Sequence, residues 1–307
     1  MQSICRNTYP SGGSGGEVYK LGNKKVSMRR ESLGTLLALA GMLLYGLEPV
    51  VIKSNESNPV SFATFSALFA SIILWIILLL EGKGTEFKAE PSGLKRAFFV
   101  GLFGTALAYL AYSLGARMST AINAALITRS EVLWSFLLAG IFLGERITKR
   151  LVGYSFIILA GLVLVITQGR AVEPHLGDLL LLLVPLFWQV GHVMAKGLPY
   201  SPTTIAALRN TFGFLLLLPL ALLTGAEFSP LVIVEGAIIA LGQVVWYGSI
   251  KRINLSKATA IITPAPAVAI ALGVLMGETF TYYHALGFLL IVLGTLGTVK
   301  VESELRT

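Results

Sequence analysis

Charge is what this chain lacks most. Only 13% of its 307 residues are Asp, Glu, Lys or Arg, against about 25% in a soluble domain, too few to cover a water-facing surface. Cysteine is nearly absent too. Cys5 stands alone, which excludes a disulfide framework and a thiolate metal site. The three histidines, His175, His192 and His284, fall on separate segments with no thiol near them, so no metal-ligand spacing is present. A phosphate-cradling glycine loop and a nucleophile triad are also missing. Those gaps argue against an ATP-driven pump and against an enzyme with a soluble-type active site, and they imply no cofactor. Residues 1–27 are polar, with SGGSGG at 11–16, and contain no apolar signal-peptide core.

Apolar residues fill the space that charge leaves. They make up 55% of the chain, and the mean hydropathy is +0.77. A bilayer core about 30 Å thick needs about 20 apolar residues per helical span. Ten such windows can be read, at 33–52, 60–80, 95–114, 119–143, 151–168, 177–195, 203–223, 230–250, 255–277 and 282–300. Backbone groups in lipid must be satisfied within the segment, which makes these windows helices. The runs are continuous and rich in Leu, Ile and Ala, unlike the alternating segments of an outer-membrane barrel. The expected fold is therefore an all-α integral membrane protein of ten transmembrane helices. Residues 1–32 form a basic tail expected to be disordered. Met28, directly before Arg29-Arg30 and the first span, reads as a start, with the preceding segment as an extension.

The chain also contains itself twice. Gly34 answers to Gly177, Tyr45 to Trp188, Lys53 to Lys196 and Pro59 to Pro202 at one offset of 143. Further on, Tyr112 answers to Tyr247, Gly144-Glu145 to Gly277-Glu278 and Gly153 to Gly287, at offsets of 133 to 135. The first repeat covers 33–168, the second 177–300, with a linker at 169–176 and a tail at 301–307. Lys and Arg distribute as the positive-inside rule requires. With both termini cytoplasmic, the outer loops hold only Lys53, Arg117 and Arg170. Arg129, Arg209 and Lys257 lie within spans, and every other basic residue falls inside. The net charge of +8 therefore reads as orientation and implies no nucleic-acid partner. Five spans per repeat is an odd number, so equivalent loops must lie on opposite sides. Loop 4–5 carries Arg146, Lys149 and Arg150, whereas its equivalent between spans 9 and 10 has no Lys or Arg. That is the charge signature of an inverted repeat.

These marks resemble the EamA family of the drug/metabolite transporter superfamily. IFLGERIT at 141–148 and VLMGETFT at 274–281 each end a span and precede a glycine-bearing one (Gly153 and Gly161, then Gly287 and Gly294). Trp188 followed by Lys196, and Arg209 after Pro202, are further matches. The chain departs from the family pattern at Tyr45, where the first half commonly has Trp, at Ser66, where it often has Arg, and at Val132, in a proline place. The resemblance implies two inverted five-helix repeats around a central cavity. It also implies a small polar solute, most often an amino acid or a relative of one, usually exported.

Ionisable groups inside a bilayer are costly and mark candidate sites. Five are read here: Glu48 in span 1, Arg129 and Glu131 in span 4, His192 in span 6 and Arg209 in span 7. Glu48 precedes Pro49, which frees the carbonyl of Tyr45. His192 shares a helix face with Trp188 and Gln189. Arg129 stands about 200° from Glu131 on a regular helix, so Glu131–Arg209 and Glu48–Arg129 are candidate pairs, between which the sequence does not choose. Pro264 and Pro266 should break span 9 beside Thr263, opening backbone toward a cavity. Tyr45, Trp188 and Trp246 supply aromatic wall. Glu145 and Glu278, at span ends, read as helix caps. The expected substrate-binding set is thus Glu48, Arg129, Glu131, His192, Trp188, Tyr45, Trp246 and Thr263, with Glu48 and His192 as proton-coupling candidates. The expected partners are a small-molecule solute, the lipid bilayer and protons. The rival readings are an exporter or flippase of amphipathic cations, drugs or lipid-linked intermediates, a membrane-embedded transferase, and a membrane subunit without transport activity.

Overall fold

The computed structural model describes residues 15–143, 148–169, 175–195, 197–250, 252–253, 258 and 261–306. No strand occurs among the described residues. The helices are α1 (Gly15–Lys53), α2 (Pro59–Leu80), α3 (Glu86–Ala89), α4 (Leu94–Gly101), α5 (Ala108–Met118), α6 (Ala121–Ile127) and α7 (Glu131–Leu143). They continue as α8 (Lys149–Thr167), α9 (Leu176–Ala195), α10 (Pro202–Leu223), α11 (Leu231–Ile250), α12 (Pro266–Leu275) and α13 (Tyr282–Arg306).

Seven helical stretches among the described residues are long and apolar enough to cross a membrane: Arg30–Lys53, Pro59–Leu80, Pro91–Met118, Lys149–Thr167, Leu176–Ala195, Pro202–Leu223 and Tyr282–Val301. Leu231–Trp246 and Pro266–Leu275 are shorter apolar helices. The stretch Pro91–Met118 joins α4 to α5 through a π-helical turn, Leu102–Leu107. A 3₁₀ turn, Thr128–Ser130, links α6 to α7. The span-9 break falls where its prolines stand: Thr263, Pro264 and Ala265 form a turn, and α12 begins at Pro266. Pro49, Pro185 and Pro219, by contrast, lie inside continuous helices.

One expectation changes. Residues 1–32 were read as a disordered tail, yet α1 extends back to Gly15. Propagating a helix that a span has already nucleated costs little, and Glu17, Lys20, Leu21, Lys24 and Lys25 are good helix formers. Residues 1–14 lie outside the described residues.

The packing repeats as the sequence does. α1 lies on α11, and its counterpart α9 lies on α5. α2 packs on α11, as α10 packs on α4 and the π turn; α1 meets α12, as α9 meets α7. The two remaining large contacts, α2 with α10 and α8 with α13, join elements that are each other's repeat mates. A pseudo-two-fold relation generates this set of contacts. Small residues let the backbones approach. A Cβ on Gly161 of α8 would stand 2.7 Å from the Gly287 carbonyl of α13, and one on Gly287 would stand 2.8 Å from the Gly161 carbonyl.

Carboxylates lock the helix starts across the repeat boundary. Glu227, after α10, accepts the amide of Asn58 at 2.7 Å, where Asn58 caps α2. Glu86, after α2, accepts the Ser201 amide at 2.6 Å and its hydroxyl at 2.7 Å, where Ser201 caps α10. Glu278 accepts the amides of Ala121 and Ile122 at 2.7 and 3.0 Å. It therefore caps α6 of the other repeat, whereas a cap on the following helix or a tie to basic loops was expected. A carboxylate suits these positions because orphan N–H groups and the helix dipole meet it there. Glu145 lies outside the described residues.

Candidate functional site

Glu48 stands near the C-terminal end of α1, 4% exposed. Its Oε1 accepts the Tyr109 hydroxyl of α5 at 3.0 Å. Tyr109 and Tyr112, one face of α5, both set their rings edge-on to Trp188 of α9, with centroids 6.2 and 5.8 Å away. The Trp188 indole N–H is buried and makes no hydrogen bond to any described residue. Glu48, on one repeat, and Trp188, on the other, are thus linked through Tyr109. Glu48 also lies within electrostatic reach of Arg129, Arg209 and Glu131.

The arginines take partners the sequence did not suggest. Arg129 Nη1 stands 3.7 Å from Glu131 Oε1, although a regular helix would hold the two on opposed faces. The 3₁₀ turn at Thr128–Ser130 is the cause. Three residues per turn bring positions two apart to about 120°, and the long arginine stem covers the rest. Neither Glu131–Arg209 nor Glu48–Arg129 forms an ion pair among the described residues. Arg209, 7% exposed on α10, donates from Nη2 to the Gly104 carbonyl and from Nε to the Thr105 hydroxyl at 3.2 Å. Both acceptors belong to the π turn, whose irregular ladder leaves a carbonyl open. Arg209 therefore satisfies broken backbone at membrane depth.

The other expected residues spread out. Tyr45, one turn before Glu48, donates to the Gly242 carbonyl at 3.0 Å and marks the α1–α11 seam. His192 is exposed on α9 and lies within reach of the Arg209 charge. Thr263 is buried at the span-9 break, against which α1 presses Gly46, where a Cβ would stand 2.6 Å from the Ala265 carbonyl. Trp246 does not join the cluster. It packs with Ala38, Ile253 and Ala258 in a separate apolar patch, because Ala38 is almost three turns from Glu48 along α1. Its neighbour Gln243 is buried and accepts from Asn210 at 3.2 Å.

Two buried acids extend the five ionisable groups read from the sequence. Asp178, 2% exposed, accepts the Ser119 hydroxyl at 2.6 Å and the Asn123 amide at 3.5 Å. Glu235 of α11 is fully buried, and neither carboxyl oxygen has a hydrogen-bond partner among the described residues. Its signal was present in the sequence: a single acid inside LVIVEGAIIALG.

With this geometry in place, comparison with known proteins decides the class. The profile of the EamA-like transporter family matches residues 32–167 and again 175–300. The chain belongs to the EamA-like transporter family. An uncharacterized transporter YyaM of Bacillus subtilis (strain 168) is 27% identical over 259 residues, covering 76% of this chain and 83% of that one. An uncharacterized transporter of Archaeoglobus fulgidus is 24% identical over 288 residues, covering 88% and 96%. A solved crystal structure superposes with a TM-score of 0.65 over 89% of this chain and 99% of that one. At 19% identity that likeness concerns the fold. This EamA member is a multi-pass membrane transporter of the drug/metabolite type.

Proposed function

We propose that this transporter is a secondary carrier of a small polar metabolite, an amino acid or a related amine-bearing solute. It moves that solute outward across the plasma membrane by alternating access. Ten spans, five per inverted repeat, rock about the pseudo-two-fold relation, with both termini cytoplasmic. The observation that carries the reading is the convergence of Glu48, Tyr109, Arg129, Glu131 and Trp188, drawn from both repeats, at the seam between them. Buried polar atoms are normally bonded, yet the Trp188 Nε1 and Arg129 Nε hydrogens have no acceptor among the described residues. A solute carboxylate would supply acceptors for both, and Glu48 would take its amine. The aromatic rings would give apolar wall and a cation–π face. His192, exposed and within reach of the Arg209 charge, would meet the solute on its way through.

The test is counterflow in liposomes loaded with one unlabelled compound at a time from an amino-acid and polyamine panel. The expected result is accumulation of label with at least one amino acid. Absence of counterflow across the panel, from protein that melts cooperatively, would overturn the reading. Accumulation of hydrophobic cations alone would move the chain to the amphipathic-cation class.

A further inference from the structure

Glu235 differs from the other buried or half-buried acids. Glu48 accepts from Tyr109, Asp178 from Ser119 and Asn123, and Glu278 from two backbone amides. Glu235 alone among them has no donor from the described residues, and it is fully buried. Its helix packs on α1, and its charge and that of Glu48 act on each other. The repeat explains why these two acids meet. Glu48 corresponds to Gly191 at the offset of 143, and Glu235 to Val100 at the offset of 135. In the second copy those places are in contact: a Cβ on Gly191 would stand 3.0 Å from Gly104 Cα and 3.6 Å from the Val100 carbonyl. One seam is thus closed by glycine against backbone, while its symmetry mate holds two carboxyls.

We propose that Glu235, together with Glu48, is the proton-exchange site that couples solute movement to the proton gradient. The proposal rests on the transporter reading above. A buried carboxylate with neither donor nor counter-ion is strongly disfavoured, so a positive partner must arrive from outside the fold. The charged and titratable groups facing the pair are Tyr109 and Tyr112 from α5, Arg129 and Glu131 around the 3₁₀ turn, and Arg209 from α10. α2 offers only hydroxyls, and α12 has no titratable residue. Both arginines are engaged elsewhere, with Glu131 and with the π turn. The partner is a proton, which turns a donorless buried carboxylate into a neutral carboxyl without needing further ligands. The helix is held close to α2 at the next residue, where a Cβ on Gly236 would stand 2.9 Å from the Ala70 amide nitrogen and 3.0 Å from the Ser66 carbonyl. In the cycle a proton from the outer solution bonds to a carboxyl oxygen of the pair. The O–H bond breaks toward cytoplasmic water when solute takes the neighbouring site, so one proton enters as one solute leaves.

The experiment uses the full chain in liposomes with pyranine inside, and the labelled amino acid that counterflow selects. Two fluxes are read: solute exchange at equal pH, and solute accumulation driven by a pH gradient. In the wild type the gradient should drive accumulation, with matching proton movement. In Glu235→Gln the ratio of gradient-driven to exchange flux should fall roughly tenfold or more, as expected of an essential intramembrane ionisable group. Glu235→Asp, which keeps a carboxyl, should recover most of that ratio. A wild type that exchanges solute without proton movement would overturn the proposal while leaving the transporter reading intact. So would a Glu235→Gln ratio equal to wild type, or an equal fall in both fluxes with the ratio preserved. A wild type without exchange would overturn the transporter reading itself.

Discussion

Glu48 and Arg209 are both buried and ionisable, yet the structure gives them opposite kinds of work. Glu48 holds one hydrogen bond, from Tyr109, and faces a seam where other polar atoms lack partners. Arg209 is bonded at two of its nitrogens to the π turn. Glu48→Gln should therefore cut counterflow by roughly tenfold or more while the melting temperature stays within a few degrees of wild type, because the amide keeps the Tyr109 contact. Arg209→Met should lower folded yield and melting temperature first. It strands the Gly104 carbonyl, and an orphaned buried partner costs about 1–3 kcal/mol. His192→Ala should fall on the Glu48 side of this division, with flux lost and stability kept. Flux and melting curves on the same preparations read the outcome, and normal flux in both Glu48→Gln and His192→Ala would move the bet to Arg129 and Glu131. Glu48 and Arg129 were legible as residues because an ionisable group stands out in an apolar run. Their partners were not legible, since a 3₁₀ turn and a π turn reset the angular arithmetic on which pairing arguments depend.

At the scale of helices, the ends are held by carboxylates that reach across the repeat. Glu86 and Glu227 sit at opposite ends of α2 and share no partner, so Glu86→Ala and Glu227→Ala should each cost about 0.5–2 kcal/mol, the worth of a helix cap. Their double mutant should be close to additive. A pH dependence follows for Glu86, which lies in the connection between α2 and α4. Burial pushes its carboxyl up, but hydrogen bonds from Thr204 and Ser201 and the charge of Lys83 outweigh it and hold the group below its ordinary value of 4.5. A depressed folded value means the cap contributes fully above the unfolded value and is lost as pH falls through the folded one. The thermal midpoint should thus drop between pH 6 and pH 3.5 by less in Glu86→Gln than in the wild type. Because the site is only half-buried, the difference should be a few degrees at most and should shrink in high salt. Which helix each of these acids caps could not be read in advance, because capping acid and capped helix are about 115 to 170 residues apart and local sequence rules see only neighbours. The span-9 break was legible, since two prolines two residues apart remove donors wherever they stand. Glu235 stands near the edge of its apolar window, where an acid is unexceptional, and only packing shows it as fully buried.

The whole molecule carries its duplication in both sequence and contacts, and the strongest consequence is topological. If the repeats are inverted, Lys88 and Ala226, which occupy equivalent loops, must lie on opposite sides of the membrane. The contacts are consistent with this geometry. α2 and α10 pack as repeat mates, with the Glu227 cap at the start of one and the Glu86 cap at the start of the other. An antiparallel pair puts those starts at opposite ends. On the proposed orientation, with both termini cytoplasmic, the basic loops set the hand: Lys83, Lys88 and Lys149–Arg150 would face the cytoplasm, leaving Lys53 and Arg117 outside. There the two bind backbone ends, Lys53 donating to the Ser119 carbonyl at 2.5 Å and Arg117 to the Glu56 carbonyl at 2.8 Å. Two basic residues tied to carbonyls at the outer ends of spans do not violate the orientation rule, because their charge is neutralised locally by helix C-terminal dipoles and loop carbonyls. In a Cys5→Ser background, Lys88→Cys and Lys149→Cys should react with an impermeant maleimide only after the cells are opened. Ala226→Cys should react in intact cells. Labelling of Lys88→Cys and Ala226→Cys from the same side would refute inversion, since parallel repeats would place both loops together. Labelling of all three from the side opposite to that expected would keep the inverted fold and reverse its orientation, turning the Glu48–Glu235 seam toward the cytoplasm and the proposed proton entry with it.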